Sequence, residues 1–268
     1  MKQLLIKLHW FLSSQLGLDP LVFFKSLRGL RFYVHDVVKF RKYYKGKFWL
    51  LPCLHDRFEE GGVTKSEYFW QDLLVARWIF EENPIKHVDV GSRIDGFVAH
   101  VASFREIEVF DVRPVTTSIP GVVFHQADLM DAETVNSLLA DEDGYSDSLS
   151  CLHALEHFGL GRYGDPVNQE GHIKGFSQLA RLVKPDGRLY LSLPIGYERV
   201  EFNANRVFDP HFIIEFAGEH GFVLDRLIVF SHEKGSFEAE IDPDVLKKLA
   251  AERYNLGIFV FTRKRISK

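Results

Sequence analysis

The chain has 268 residues, 46% hydrophobic and 26% charged, the composition of a folded globular protein rather than a disordered or fibrous one. Two cysteines, Cys53 and Cys151, exclude a disulfide framework, and no apolar run approaches the roughly 18 residues of a membrane-spanning helix. The formal net charge of −4 gives no sign of a nucleic-acid partner, but it is unevenly divided: residues 1–47 carry ten basic side chains against two acids, a net +8, leaving −12 for residues 48–268.

Residues 1–66 read as a basic, aromatic-rich, mostly helical extension ahead of a domain over 67–268. Lys7, His9 and the missing small-residue cleavage pattern argue against a secretory signal. A helix is predicted between Asp19-Pro20 and Gly46. In it Arg28, Arg31, His35, Lys39 and Lys42 recur at steps of 3, 4, 4 and 3, beside an apolar stripe of Leu27, Leu30, Val34, Val37 and Val38. Two readings stand. The plainer one packs the stripe on the main domain and leaves the basic face solvated. The other docks residues 1–47 on anionic lipid or a phosphate-bearing carrier. The cysteines suit a cytoplasmic location, and the second reading adds a peripheral contact with the inner membrane surface.

From residue 67 strands and helices alternate. Glu67–Glu82 reads as a helix ended by Asn83-Pro84, and His87–Gly91 as a strand and turn before a helix over Ile94–Phe104. Strands follow at Glu106–Val112, Val122–Asp128, Ser148–Leu152 and Arg188–Leu193, with helices at about Asp131–Ala140 and His172–Val183. This pattern predicts an α/β fold with a doubly wound, mostly parallel sheet. A helix at Pro210–Glu219 and strands at Phe222–Phe230 and Tyr254–Lys264 suggest an antiparallel finish, joined by a charged connection over 231–253.

The chemistry concentrates at the strand ends. Gly91 permits a sharp turn, and the following helix offers free N–H groups. Asp111, 20 residues later, stands where an acid accepts bonds from both ribose hydroxyls of an adenosine, and Asp128 where one meets the adenine amine. Each acid alone reads as an ordinary loop residue; three at successive strand ends predict a nucleoside-cofactor site.

Asp89-Val-Gly91, Asp111, Ala127-Asp128, the strand into Leu155-Glu156-His157, and Leu182–Gly187 together resemble the ordered motifs of class I S-adenosylmethionine-dependent methyltransferases. Within that superfamily, Asp89–Ala102 and the Gly159–Gly171 insert resemble an uncharacterised family, of a kind associated with sugar or polysaccharide metabolism. The resemblance implies a Rossmann-like fold and S-adenosylmethionine as cofactor. It implies Asp89, Gly91 and Ser92 near the methionyl end, Asp111 at the ribose and Asp128 at the adenine, with Arg93, Val112 and Leu129 as further cofactor-binding residues. Arg93 stands where the usual loop has a second glycine, a departure that narrows the pocket.

His153-x-x-Glu156-His157 matches the H-x-x-E-H pattern of inverted zinc peptidases, but those residues must share a helix, and here they leave a strand and run into Gly159 and Gly161. No metal is expected. The better reading sets His153, Glu156 and His157 at the active-site edge, with His157 or Glu156 taking a proton from an acceptor hydroxyl; the plainer one has them orient the following loop. That loop, Gly159–Gly171, is long enough for a lid. Arg162 and Tyr163 in it, with Tyr197, Asn203 and Arg206 after the fifth strand, suit a hydroxyl-rich or phosphorylated acceptor, or are solvated loops. The reading is methyl transfer to a hydroxyl or amine of a small-molecule or glycan acceptor. Its alternatives are a catalytically silent binding module and a nucleotide-sugar or NAD-binding Rossmann enzyme.

Overall fold

The computed structural model describes residues 8–140, 143–231, 235–239 and 241–265. The chain divides into two compact units, Met1–Val63 and Thr64–Lys268.

The first unit is built on α1 (Pro20–Tyr43). Its start is fixed by Asp19, whose carboxylate accepts from the N–H groups of Leu21 (2.8 Å) and Val22 (3.2 Å), with Pro20 at the first helical position. Lys25, Gly29, Phe32 and Asp36 lie along one face, and the returning segment packs on Gly29 and Phe32 and pairs with the two charged residues. A Cβ on Gly29 has no room against the Leu54 carbonyl. Lys25 pairs with Glu59 at 2.9 Å, Arg57 with Asp36 at 2.7 Å, and Phe32 meets Phe58 edge-on. The opposite stripe, Leu27, Leu30, Val34 and Val38, is exposed.

The second unit begins with α2 (Glu67–Glu82), capped by Ser66 and stopped by Asn83 in the left-handed conformation ahead of Pro84. Then follow β1 (His87–Val90), a helical turn Ile94–Val98 kinked at Gly96, α3 (Ala99–Ala102), β2 (Ile107–Asp111) and β3 (Val122–Gln126). Next are α4 (Ala132–Leu139), β4 (Ser146–Leu152), a 3-10 turn Leu155–His157, α5 (Gly171–Leu182) and β5 (Val183–Ile195). The chain continues through β6 (Arg199–Glu201), β7 (Asn205–Val207), α6 (Pro210–Glu219), β8 (Phe222–Ser231), β9 (Gly235–Glu238), α7 (Pro243–Ala251) and β10 (Asn255–Arg263). Two readings are corrected here. The charged connection over 231–253 contains β9 and α7, and the polar stretch after β5 is a β6–β7 hairpin.

The large sheet runs β3-β2-β1-β4-β5-β10-β8-β9. β1 to β5 pair in parallel, and β10 lies antiparallel between β5 and β8. This is the doubly wound, mostly parallel sheet with antiparallel C-terminal strands that the sequence pattern predicts. Both faces are covered. Leu149, Leu189, Leu191 and Phe259 belong to a core with Phe176 and Leu179 of α5, while Ile107, Val109 and Ile258 pack with Val75 and Ile79 of α2. Each such fully buried side chain contributes roughly 1.5–3 kcal/mol of transfer free energy. The strand order reverses at β1, between β2 and β4, so a crevice forms beyond the C-terminal ends of these strands.

Candidate active site

A cavity of about 500 Å³ occupies that crevice. Gly91 forms its floor at φ +74°, and a Cβ there would come within 2.8 Å of the Ala154 Cβ. Arg93, Asp111, Val112, Asp128 and Leu129 line it from the β1, β2 and β3 ends, and His153, His157, Arg162 and Tyr163 from the β4 side.

Asp89 and Ser92 are not in the lining. Asp89 is fully buried within β1: its carboxylate accepts from the Ser92 N–H (3.0 Å) and the hydroxyls of Ser92 (2.6 Å) and Ser150 (2.5 Å). Burial raises its pKa to about 7, against the lowering effect of those three bonds. It braces the Gly91 turn from beneath.

His153 and His157 share one carboxylate. Glu156 is fully buried, with Oε1 2.7 Å from His153 Nδ1 and 3.6 Å from His157 Nε2. Burial alone would raise Glu156, but the two imidazoles outweigh it and lower its pKa. His153 is held at φ +51° by hydrogen bonds from its N–H to the backbone and hydroxyl oxygens of Ser192. Burial works to lower its pKa, but Glu156, then Glu67 3.5 Å from Nε2, carry it upward. His157 goes the other way, lowered by burial and by Arg162, whose Nη1 lies 3.4 Å from Nδ1. Both imidazoles turn to Glu156, and no group of three or more potential metal ligands converges among the described residues.

The residues expected for an acceptor divide. Arg162 and Tyr163 line the cavity, whereas Tyr197 and Asn203 are exposed on the hairpin side and outside the lining. Arg206 is buried and donates to the carbonyls of Glu156 (3.2 Å), Phe158 (2.7 Å) and Gln169 (3.3 Å). It fastens the 155–170 segment rather than facing a ligand.

The lining also holds residues that sequence reasoning missed. Tyr68, Gln71 and Asp72 come from the first turns of α2, where a helix packed on a sheet presents its N-terminal side chains to the crevice. Burial raises the Asp72 pKa, opposed by a bond from Gln71 Nε2 at 3.0 Å. Arg113, two residues beyond the strand-end acid, engages both oxygens of Asp111 (Nε to Oδ1 2.9 Å) and donates to the Gly91 carbonyl at 3.3 Å. Its guanidinium also lies 4.6 Å over the Tyr163 ring, tying the Gly159–Gly171 loop to the β2 end. A basic residue so close to a strand-end acid was the available signal.

Residues 129–253 match a family model described as "Caenorhabditis protein of unknown function, DUF268", in agreement with the resemblance to an uncharacterised family. No curated protein sequence matches the chain. Among solved structures the chain is similar to 1,6-didemethyltoxoflavin-N1-methyltransferase of Burkholderia thailandensis, bound to 1,6-didemethyltoxoflavin and S-adenosylhomocysteine. The identity is 12%, with 74% of this chain and 80% of that one covered and a TM-score of 0.47. It is similar to an N-methyltransferase of Bradyrhizobium japonicum in complex with S-adenosylhomocysteine (9% identity, 76% and 91% covered, TM-score 0.49). It is also similar to the [4+2]-cyclase SpnF (16% identity, 72% and 80% covered, TM-score 0.48).

Proposed function

We propose that the Thr64–Lys268 unit binds S-adenosylmethionine in the strand-end cavity and transfers its methyl group to a hydroxyl or amine of a small-molecule or glycan acceptor. The observation that carries this reading is Asp111 and Asp128 at successive strand ends, facing one cavity floored by the side-chain-free Gly91. The donor set suits an adenosine with a cationic tail: a carboxylate for the ribose diol, a second for the base, and a floor with room for close approach. Gly91 and Arg93 lie toward the methionyl end. Asp72, in the same lining, serves the ammonium group in place of the walled-in Asp89.

The cofactor, when bound, supplies a methyl group already activated by the sulfonium, so the protein's work is alignment, exclusion of water and removal of one proton. His157 takes the acceptor's proton. Glu156 orients the imidazole through Nε2 and stabilises the cation that forms, and His153 holds Glu156 in place. Burial, and after it Arg162, keep His157 neutral near pH 7, and Arg162 with Tyr163 contacts the acceptor. Arg113 must leave Asp111 before the ribose hydroxyls reach it.

One observation favours the second reading, a silent binding module: both Asp111 oxygens are engaged by Arg113. Calorimetric titration with S-adenosylmethionine separates the two. Binding that weakens in Asp111→Ala supports the enzyme, absence of binding at millimolar cofactor supports the module, and competition by NAD supports a nicotinamide enzyme.

A further inference from the structure

We propose that the Met1–Val63 unit docks on an anionic lipid bilayer, with α1 lying in the headgroup plane. The proposal stands on that unit alone and does not depend on the cofactor reading. α1 has three stripes. Lys25, Gly29, Phe32 and Asp36 form the one that contacts the 54–59 return. On the opposite side Phe23, Leu27, Leu30, Val34 and Val38, at steps of 4, 3, 4 and 4, stand 46–68% exposed, a continuous apolar line along a helix about 36 Å long. Between them run Arg28, Arg31, His35, Lys39 and Lys42.

Monomers rarely leave so long an apolar line to water, so it implies a partner. Charge selects which one. The stripe against the return uses Asp36 and Glu59 in ion pairs, while Arg28, Arg31, Lys39, Arg41 and Lys42 pair with no carboxylate among the described residues. A second copy would set two cationic flanks against each other. An anionic headgroup layer satisfies both features at once, taking the apolar line into the acyl boundary and the cations at the phosphates. Aromatic side chains suited to that depth are present in Trp10 and in Trp49, the latter 85% exposed beside Leu50 and Leu51. Among the described residues no helix is long and apolar enough to cross a membrane.

Flotation of the full chain with phosphatidylcholine vesicles, with and without phosphatidylglycerol, tests this. The expected result is binding to the anionic vesicles alone, lost at high salt, with Trp49 fluorescence quenched by brominated lipid and the quenching reduced in Trp49→Phe. The pair Lys39→Gln and Lys42→Gln should weaken partitioning about 25-fold, at roughly fivefold per charge. Val34→Asp with Val38→Asp, both at solvent-exposed positions, should abolish it with thermal unfolding unchanged. Equal binding to neutral vesicles, or none to either, overturns the proposal. So does a concentration-dependent dimer in sedimentation that Val34→Asp dissolves, which would assign the stripe to a second copy.

Discussion

Removing Arg113 should tighten cofactor binding, although the residue lines the cavity. Its guanidinium holds both oxygens of Asp111, whose side chain is 7% exposed, while its own is 40% exposed. Solvent screening of the open partner reduces the pair to about 0.5–2 kcal/mol. A ligand that needs the same two oxygens must displace that interaction, so its apparent affinity is lower by about 2–30-fold. Arg113→Ala then strengthens S-adenosylmethionine binding by that factor. Asp111→Ala, which on the proposed reading deletes two charge-assisted bonds to the ribose, weakens it by at least about tenfold. Isothermal titration of the wild type, both single variants and the double variant reads both effects. A thermal melt of Arg113→Gln, which retains a polar partner for Asp111, checks that the loop survives. A tenfold loss of affinity in Arg113→Ala would put the guanidinium among the binding contacts. An effect within twofold, with Asp111→Ala still weak, would mean that Arg113 does not hold Asp111 in solution. Either result refutes the latch.

His157→Gln should lower turnover by roughly 10²–10⁴ while leaving cofactor affinity unchanged. Because burial and Arg162 hold His157 below its ordinary 6.5, wild-type kcat/KM should lose activity only as pH falls through a value below 6.5; a higher acidic limb would reassign the base. Asp89, raised by burial to about 7, keeps its proton in the fold after the unfolded chain loses it near 3.8, so its contribution to stability declines as pH rises between those values. Asp89→Asn, able to accept from the Ser92 N–H and donate to both serine hydroxyls, should flatten that slope of about 1.4 kcal/mol per pH unit, seen as a gain in Tm at about pH 8 relative to about pH 5. An unchanged slope would mean that Asp89 is ionised in the fold. Arg206→Ala strands three carbonyls and should cost about 2–4 kcal/mol by denaturant unfolding. A loss within experimental error would show that the 155–170 segment holds without it.

The alternation of strands and helices was legible because its punctuation is local. Asn83-Pro84 stops α2, Asp131 caps α4 through the N–H groups of Glu133 and Thr134, and Gly91 supplies the turn after β1. The segment 231–253 was opaque for the opposite reason. In α7 only Leu246 and Leu249 are buried, too few to mark a helical face, and β9 is an edge strand with alternate residues exposed. The Asp242-Pro243 start of α7 was the one available sign. Arg206 could not be told from a surface arginine, because its role depends on carbonyls 37 to 50 residues away in the chain.

Asp72 gives the sharpest test of how position and direction differ. Strand side chains alternate between faces, so neighbouring positions of one strand meet different surroundings. Asp111 ends β2 and meets the cavity. Asp89 sits one residue before the end of β1, aligned with Val109 and Ser150 of the flanking strands, and its carboxylate is consumed by serines. On the proposed reading, the ammonium group of S-adenosylmethionine therefore needs another acid. Asp72 is in the lining, and it approaches the chain where Gly96 has no side chain: a Cβ there would lie 2.6 Å from Asp72 Oδ2. Asp72→Asn should then weaken S-adenosylmethionine binding by at least about tenfold, the loss of one charge-assisted bond, whereas Asp89→Asn leaves it within about twofold. 5′-Methylthioadenosine, which lacks the amino-acid tail, should bind both variants and the wild type alike. Equal loss for the tailless ligand in Asp72→Asn would show that the substitution acts by distorting the cavity and not through the ammonium.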